Sequence, residues 1–171
     1  MTRNFPNWAD FTPEKAASEL PQLLEAAEKG VKEVESTSAP SYEGFVWALD
    51  DATRELWHCW GMVSHMLGVM NSDAWRKVEE EWQPKIVAFG LRVSQSKRLY
   101  EVAKSILNAD SLNGDLSISE SGESVKRKCN ARSDLLLQDI KRRILRKMVQ
   151  GAELAGVGLE GARKDRFNAI Q

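Results

Sequence analysis

Apolar residues recur along this chain at steps of three and four, the period of a helix that buries one face. The longest such run is Tyr42, Phe45, Leu49, Ala52, Leu56, Trp60, Val63, Leu67 and Met70. It predicts one helix of several turns beginning near Ser41. The charges on it, Glu43, Asp50, Asp51, Arg54 and Glu55, stop at its midpoint. From Leu56 onward the segment is apolar on nearly all sides, so this half is expected to be surrounded by other elements as a central helix.

Similar stripes define the neighbours. Trp75, Val78 and Trp82 form one, resumed beyond Pro84 by Ile86, Phe89 and Val93; Leu99, Val102, Ala103 and Ile106 form another. A last long helix is expected over about residues 125–154, with Leu136, Ile140, Ile144 and Met148 facing inward. Start signals precede several of these runs. Thr12-Pro13-Glu14 combines a hydroxyl cap, a proline suited to the first turn and an acid favoured by the helix dipole. Ser72 and Ser96 are hydroxyl caps for later helices. Pro21 removes a backbone donor and is expected to split its segment into a short helix and a longer one over about residues 20–34. Pro84 is expected to kink or break the third helix. Residues 36–40 are a polar connection, residues 108–124 a flexible loop, and Leu116-Ser117-Ile118 is too short for a strand with a partner. Gly156 and Gly158 interrupt the long helix, and a further helical segment opens near Leu159 and is still running at Gln171. No repeat or convincing strand is visible. The expected fold is all-α: a single helical domain over residues 1–171, an antiparallel bundle of about five to six helices with kinks at Pro21 and Pro84.

Composition narrows the class. A chain of 171 residues suffices for one sizeable core without metal or disulfide staples. Cys59 and Cys129 are far apart in sequence and read as buried hydrophobes in a reducing compartment. The start of the chain shows no signal-peptide pattern, and the apolar stretch over residues 56–70 is shorter than the roughly 20 residues that cross a bilayer. A cytoplasmic or organellar location is expected. The charge is uneven: residues 121–171 carry 12 Lys/Arg against 6 Asp/Glu, while residues 1–120 carry 12 against 19. Such asymmetry fits an acidic partner or nucleic acid. The simpler reading is solvated helix faces, because the basic residues lack interleaved aromatics.

Candidate chemistry is sparse. Glu55-x-x-His58 has the i, i+3 spacing of di-iron bundle sites, but no second copy exists; His65 adds at most a third ligand from the same helix. Cys59 and His65 diverge around the helix, which disfavours a nucleophile–base pair, and Ser64 and His65 also point to different faces. Trp57, Trp60, Trp75 and Trp82 read as core or domain interface before they read as a ligand site. Glu79-Glu80-Glu81 beside Trp82 reads as a solvated face before a site for basic peptides. The run from Lys141 to Lys147 resembles a basic amphipathic helix able to bind a membrane or acidic partner, although its apolar residues belong to the stripe expected to pack the bundle.

Several strings, in order, resemble one family. Phe5-Pro6-Asn7-Trp8 with Thr12-Pro13-Glu14, Trp60 to His65 leading to Val69-Met70-Asn71, Gln83-Pro84, Leu91 to Lys97 with Leu99-Tyr100, Ala155 to Leu159, and Arg166 to Gln171 are similar to the N-terminal region of the thimet oligopeptidase and oligopeptidase A family of zinc metallopeptidases. Residues 109–143 depart from it in being more polar and basic. The resemblance implies a cytosolic or organellar zinc endopeptidase that cleaves short peptides inside a deep channel. Its zinc ligands and general base lie on an H-E-x-x-H helix, and neither His58 nor His65 is followed by Glu. The family's catalytic residues therefore map onto no position here.

The resemblance thus predicts no catalytic, cofactor-binding or metal-ligating residue in this chain. Zinc is expected in a catalytic half outside it. That half would be this region's partner, short peptides would be substrates of the complete enzyme, and neither nucleic acid nor membrane would be bound. The helical region would wall the channel. The alternative is a stand-alone helical interaction or peptide-binding module that lacks the catalytic half.

Overall fold

The computed structural model describes residues 8–36, 41–112 and 125–169, with the side chains of 110–112, 125–135 and 168 set aside. Among the described residues the protein is all-α, with α1 (Pro13–Ser36), a π-helical turn (Glu43–Trp47), α2 (Ala48–Val69), α3 (Asp73–Ser94), α4 (Lys97–Leu112), α5 (Val125–Leu154) and α6 (Ala162–Asn168). Two compact units are present. One comprises Met1–Thr37 and Val46–Val93, the other Ser38–Phe45 and Ser94–Gln171.

Local chemistry sets the helix starts. The hydroxyls of Thr12, Ser41, Ser72 and Ser96 each accept the backbone N–H three residues on, from Lys15, Gly44, Trp75 and Leu99 at 3.2, 3.0, 3.4 and 3.3 Å. Each satisfies one of the N–H groups that a helix start leaves open. The end of α5 is equally legible. Gly156 adopts φ +81°; its N–H donates to the Glu153 carbonyl and that of Val157 to the Ala152 carbonyl, the paired bonds of a Schellman motif.

In the first unit α1 packs against α2. The α1 stripe Ala16, Leu20, Ala27, Val31 and Val34 is buried, as are Leu56, Cys59 and Val63 of α2. The third helix contributes Trp75, Val78, Trp82, Ile86 and Phe89. Phe11 stacks on Trp75 at 5.5 Å, and Trp57 meets Phe89 at 6.0 Å. A partly buried ion pair, Arg92 to Glu35 at 3.0 Å, ties α3 to α1. In the second unit α4 packs on α5. Leu99, Val102, Ala103 and Ile106 of α4 are buried, and Leu145 of α5 is fully buried. Gln95 donates to the Ala155 carbonyl at 2.9 Å.

Several expectations are corrected. Helix α1 is continuous through Pro21, so the segment is not split. Pro21 is exposed, and the buried stripe on either side keeps one register across it. Pro84 lies within a continuous α3, which excludes a break there. Helix α4 runs on to Leu112, so residues 108–112 are helical; residues 113–124 of the anticipated loop lie outside the described residues, as do 1–7, 37–40, 170 and 171. The long second helix begins near Ser41 as expected, but a π-helical turn, Glu43–Trp47, precedes α2. The second half of α2 is not enclosed either. His58, Gly61, Ser64, His65 and Gly68 are exposed, because α1 covers only one side. Finally, Leu136, Ile140 and Ile144 point away from the core at 62, 47 and 37% exposure, while Leu145 is the residue driven inside.

Candidate functional site

Of the residues singled out for chemistry, Trp57, His58, Ser64 and His65 lie on the open side of α2, and Arg143, Arg146 and Lys147 on the outer side of α5. Helical geometry places Trp57, Gly61, Ser64 and Gly68 along one strip of α2, flanked by His58 and His65. A β-carbon added to Gly61 or Gly68 would meet nothing within 4 Å. The strip is therefore a shallow track beside Trp57, which is 41% exposed and whose ring lies 6.0 Å from that of Phe89. His65 is held from the side by Trp8, ring centroids 5.0 Å apart.

Neither histidine joins a ligand set. Seven residues of helix separate their α-carbons by roughly 10.5 Å along the axis, and the His65 ring lies against Trp8. A zinc site needs at least three convergent ligands about 2 Å from the ion. Among the described residues no group of three or more His, Cys, Asp or Glu side chains is placed to hold a metal. Glu55 is exposed on the same helix without the second Glu-x-x-His that a di-iron centre requires.

Cys59 lies on the inward side of α2, almost fully buried. Burial pushes its thiol up to about 11 from 9.0, with Glu19 adding to the effect. A thiol so placed stays protonated at neutral pH and is a poor nucleophile. Its side chain and that of His65 occupy different faces of α2. The side chain of Cys129 lies outside the described residues.

The tryptophans divide by burial. Trp75 and Trp82 are core; Trp60 is half-buried, and Trp57 is exposed at the helix surface. Lys85 sits 4.0 Å above the Trp82 ring and pairs with Glu81, so part of the Glu79–Glu81 triplet is occupied locally.

The basic run on α5 is split by the helix turn. Lys141 turns inward, pairs with Glu43 and lies 5.1 Å from the Tyr42 ring centre; that pairing holds the Glu43 carboxyl below its ordinary range. Arg143, Arg146 and Lys147 turn outward. Ile140, Ile144 and Met148 with Arg143 and Lys147 line an open depression of about 510 Å³. Sequence reasoning assigned this stripe to the core, because a four-residue step does not state which of two adjacent apolar faces turns inward. No helix of the described residues is long and apolar enough to cross a membrane.

Known proteins resemble this chain along nearly its whole length. Residues 20–122 match the family model described as Neurolysin/Thimet oligopeptidase, N-terminal domain. The chain is 26% identical over 168 residues to the Arabidopsis thaliana protein named "Probable cytosolic oligopeptidase A". It is 24% identical to that plant's organellar oligopeptidase A, chloroplastic/mitochondrial, and 20% to oligopeptidase A of Haemophilus influenzae. Each similarity covers 98% of this chain but only 21, 18 and 21% of the respective relative. The chain therefore spans about a fifth of the length of these curated relatives.

Proposed function

Because the chain belongs to the neurolysin/thimet oligopeptidase N-terminal domain family, we propose that it is the helical wall of a peptide-hydrolysing enzyme and is not itself the catalytic part. It confines the channel in which a zinc-bearing remainder acts, and it limits access to short, unfolded peptides. The observation that carries this reading is the span of the similarity: 98% of this chain, yet about a fifth of each oligopeptidase.

The residues support the division of labour. Hydrolysis at a zinc centre requires convergent ligands and an activated water. Glu55, His58 and His65 do not converge, and Cys59 is buried and protonated, so no step is assigned to this chain's residues. A wall requires rigid helices, and the stripes of α1, α3 and α4 provide them. A cytoplasmic setting accords with the name of the first plant relative, while the second is named as organellar.

The test compares hydrolysis of a quenched short peptide and of an unfolded protein by three samples. These are the chain alone, the chain joined to the zinc-bearing remainder of an oligopeptidase, and that remainder alone. The chain alone is expected to be inactive. The joined protein should cleave the peptide but spare the long substrate. Equal cleavage of both substrates with and without the helical region would sink the wall reading. Chelator-sensitive turnover by the chain alone would show that it carries its own site.

A further inference from the structure

Helix α5 presents two apolar faces of different fate. One, centred on Leu145, is packed against α4. The other carries Leu136, Ile140 and Ile144 at steps of four residues, all exposed, with Met148 continuing the line into the open depression. From Leu136 to Met148 this face extends roughly 18 Å, the length of a docked helix of three to four turns.

Its charge is as one-sided as its hydrophobicity. Residues 136–150 hold five Lys/Arg and a single carboxylate, Asp139. Inward-facing Lys141 is paired with Glu43, and elsewhere in the same unit Lys97 is paired with Glu160. Arg143, Arg146 and Lys147 differ: among the described residues none has a carboxylate partner. On a helical projection Arg143 and Lys147 lie together along one edge of the apolar face, with Arg146 and Asp139 further round the same side. An apolar strip bordered by uncompensated positive charge is the complement of an amphipathic helix that carries acids beside its apolar face. A second copy of the same face is disfavoured, because its cationic edge would meet like charge.

We infer that the outer face of α5, along Leu136, Ile140 and Ile144, is a docking surface for an acidic amphipathic helix of another polypeptide segment. The apolar side chains seat the partner; Arg143 and Lys147 fix its register, and the positive charge of this side, Arg146 included, speeds its approach. The inference stands on α5 alone and does not depend on the peptidase reading.

The experiment uses the full chain and a fluorescein-labelled designed helix of about 14 residues, with Leu along one face and Glu along its edge. Fluorescence anisotropy is expected to show saturable binding that weakens with added salt. Two variants on exposed positions, Ile144→Asp and the double change Arg143→Glu/Lys147→Glu, should each weaken it at least about tenfold. Val87→Asp, at an exposed apolar position on α3, should leave it unchanged, with circular dichroism confirming that all variants are folded. Any of four results overturns the inference. These are no binding, equal binding by the variants, equal binding of a Lys-edged version of the peptide, or binding to phosphatidylserine vesicles without binding to the acidic helix. Self-association that Ile144→Asp abolishes would instead assign the face to a second copy.

Discussion

Gly30 of α1 and Ala52 of α2 touch so closely that a β-carbon on Gly30 would lie 2.7 Å from the Ala52 β-carbon and 3.3 Å from its α-carbon. Close approach of this kind lets two helices pack backbone to backbone and brings the buried stripes on both sides of it together. Glycine inside a helix costs roughly 1 kcal/mol relative to alanine, so the position trades local propensity for tertiary fit.

Gly30→Ala therefore decides between those two effects. The obstructing atoms belong to or adjoin the α2 backbone and cannot rotate aside, so the clash is expected to outweigh the propensity gain. A net loss of about 1–3 kcal/mol, typical of overpacking, should appear as a lower midpoint in thermal or urea unfolding. A raised midpoint would mean that the two helices separate easily.

Leu145 and Ile144 are sequence neighbours with opposite surroundings. Leu145→Ala should cost about 2–5 kcal/mol, the range for truncating a fully buried leucine. Ile144→Ala, at a partly exposed position, should cost under about 1 kcal/mol. Urea unfolding of the two variants measures both. Equal costs, or the reverse order, would show that α5 is rotated about its axis.

Cys59 tests the closure of the first unit. With its thiol held at about 11, alkylation by iodoacetamide near neutral pH should be slow in the folded protein and rapid in denaturant, as followed by peptide mass spectrometry. The raised value also gives a sign. The native state favours the protonated thiol, so that contribution is fully present below 9.0 and is lost as pH rises from 9.0 toward 11. Cys59→Val should remove this portion of the alkaline decline; an unchanged decline would assign it to other groups.

Glu43 and Glu160 probe the other end of the pH scale. The hydrogen bonds from Lys141 and Lys97, respectively, hold their carboxyls below the ordinary 4.5. Each pairing thus stabilises the fold above about pH 4.5, and the contribution disappears as pH falls through the lower folded value. Replacing both lysines by methionine should reduce stability at pH 7 and make little difference near pH 2. Both carboxyls are open to solvent, so added salt should shrink the effect. The same deficit at both pH values would mean that the lysines act through packing of their aliphatic stems.

The sequence by itself determined the helices and most of their punctuation. Thr12, Ser72 and Ser96 were legible as caps, and Gly156 as a stop, because cap chemistry involves only the few residues around a helix end. The stripes of α3 and α4 were legible because each has a single apolar face, leaving no choice of what to bury. Pro21 was misread because its local cost is smaller than the cooperative burial of Leu20, Ala27 and Val31 on one uninterrupted face. Helix α5 has two apolar faces, and the exposed half of α2 has apolar residues all round; periodicity ranks neither. Only tertiary packing decided that Leu145 turns inward while Ile140 and Ile144 remain outside, since the choice depends on where α4 lies. The outward cationic edge of α5 follows from that arrangement, because burial is a property of neighbours brought together in space and not of the order of residues along the chain.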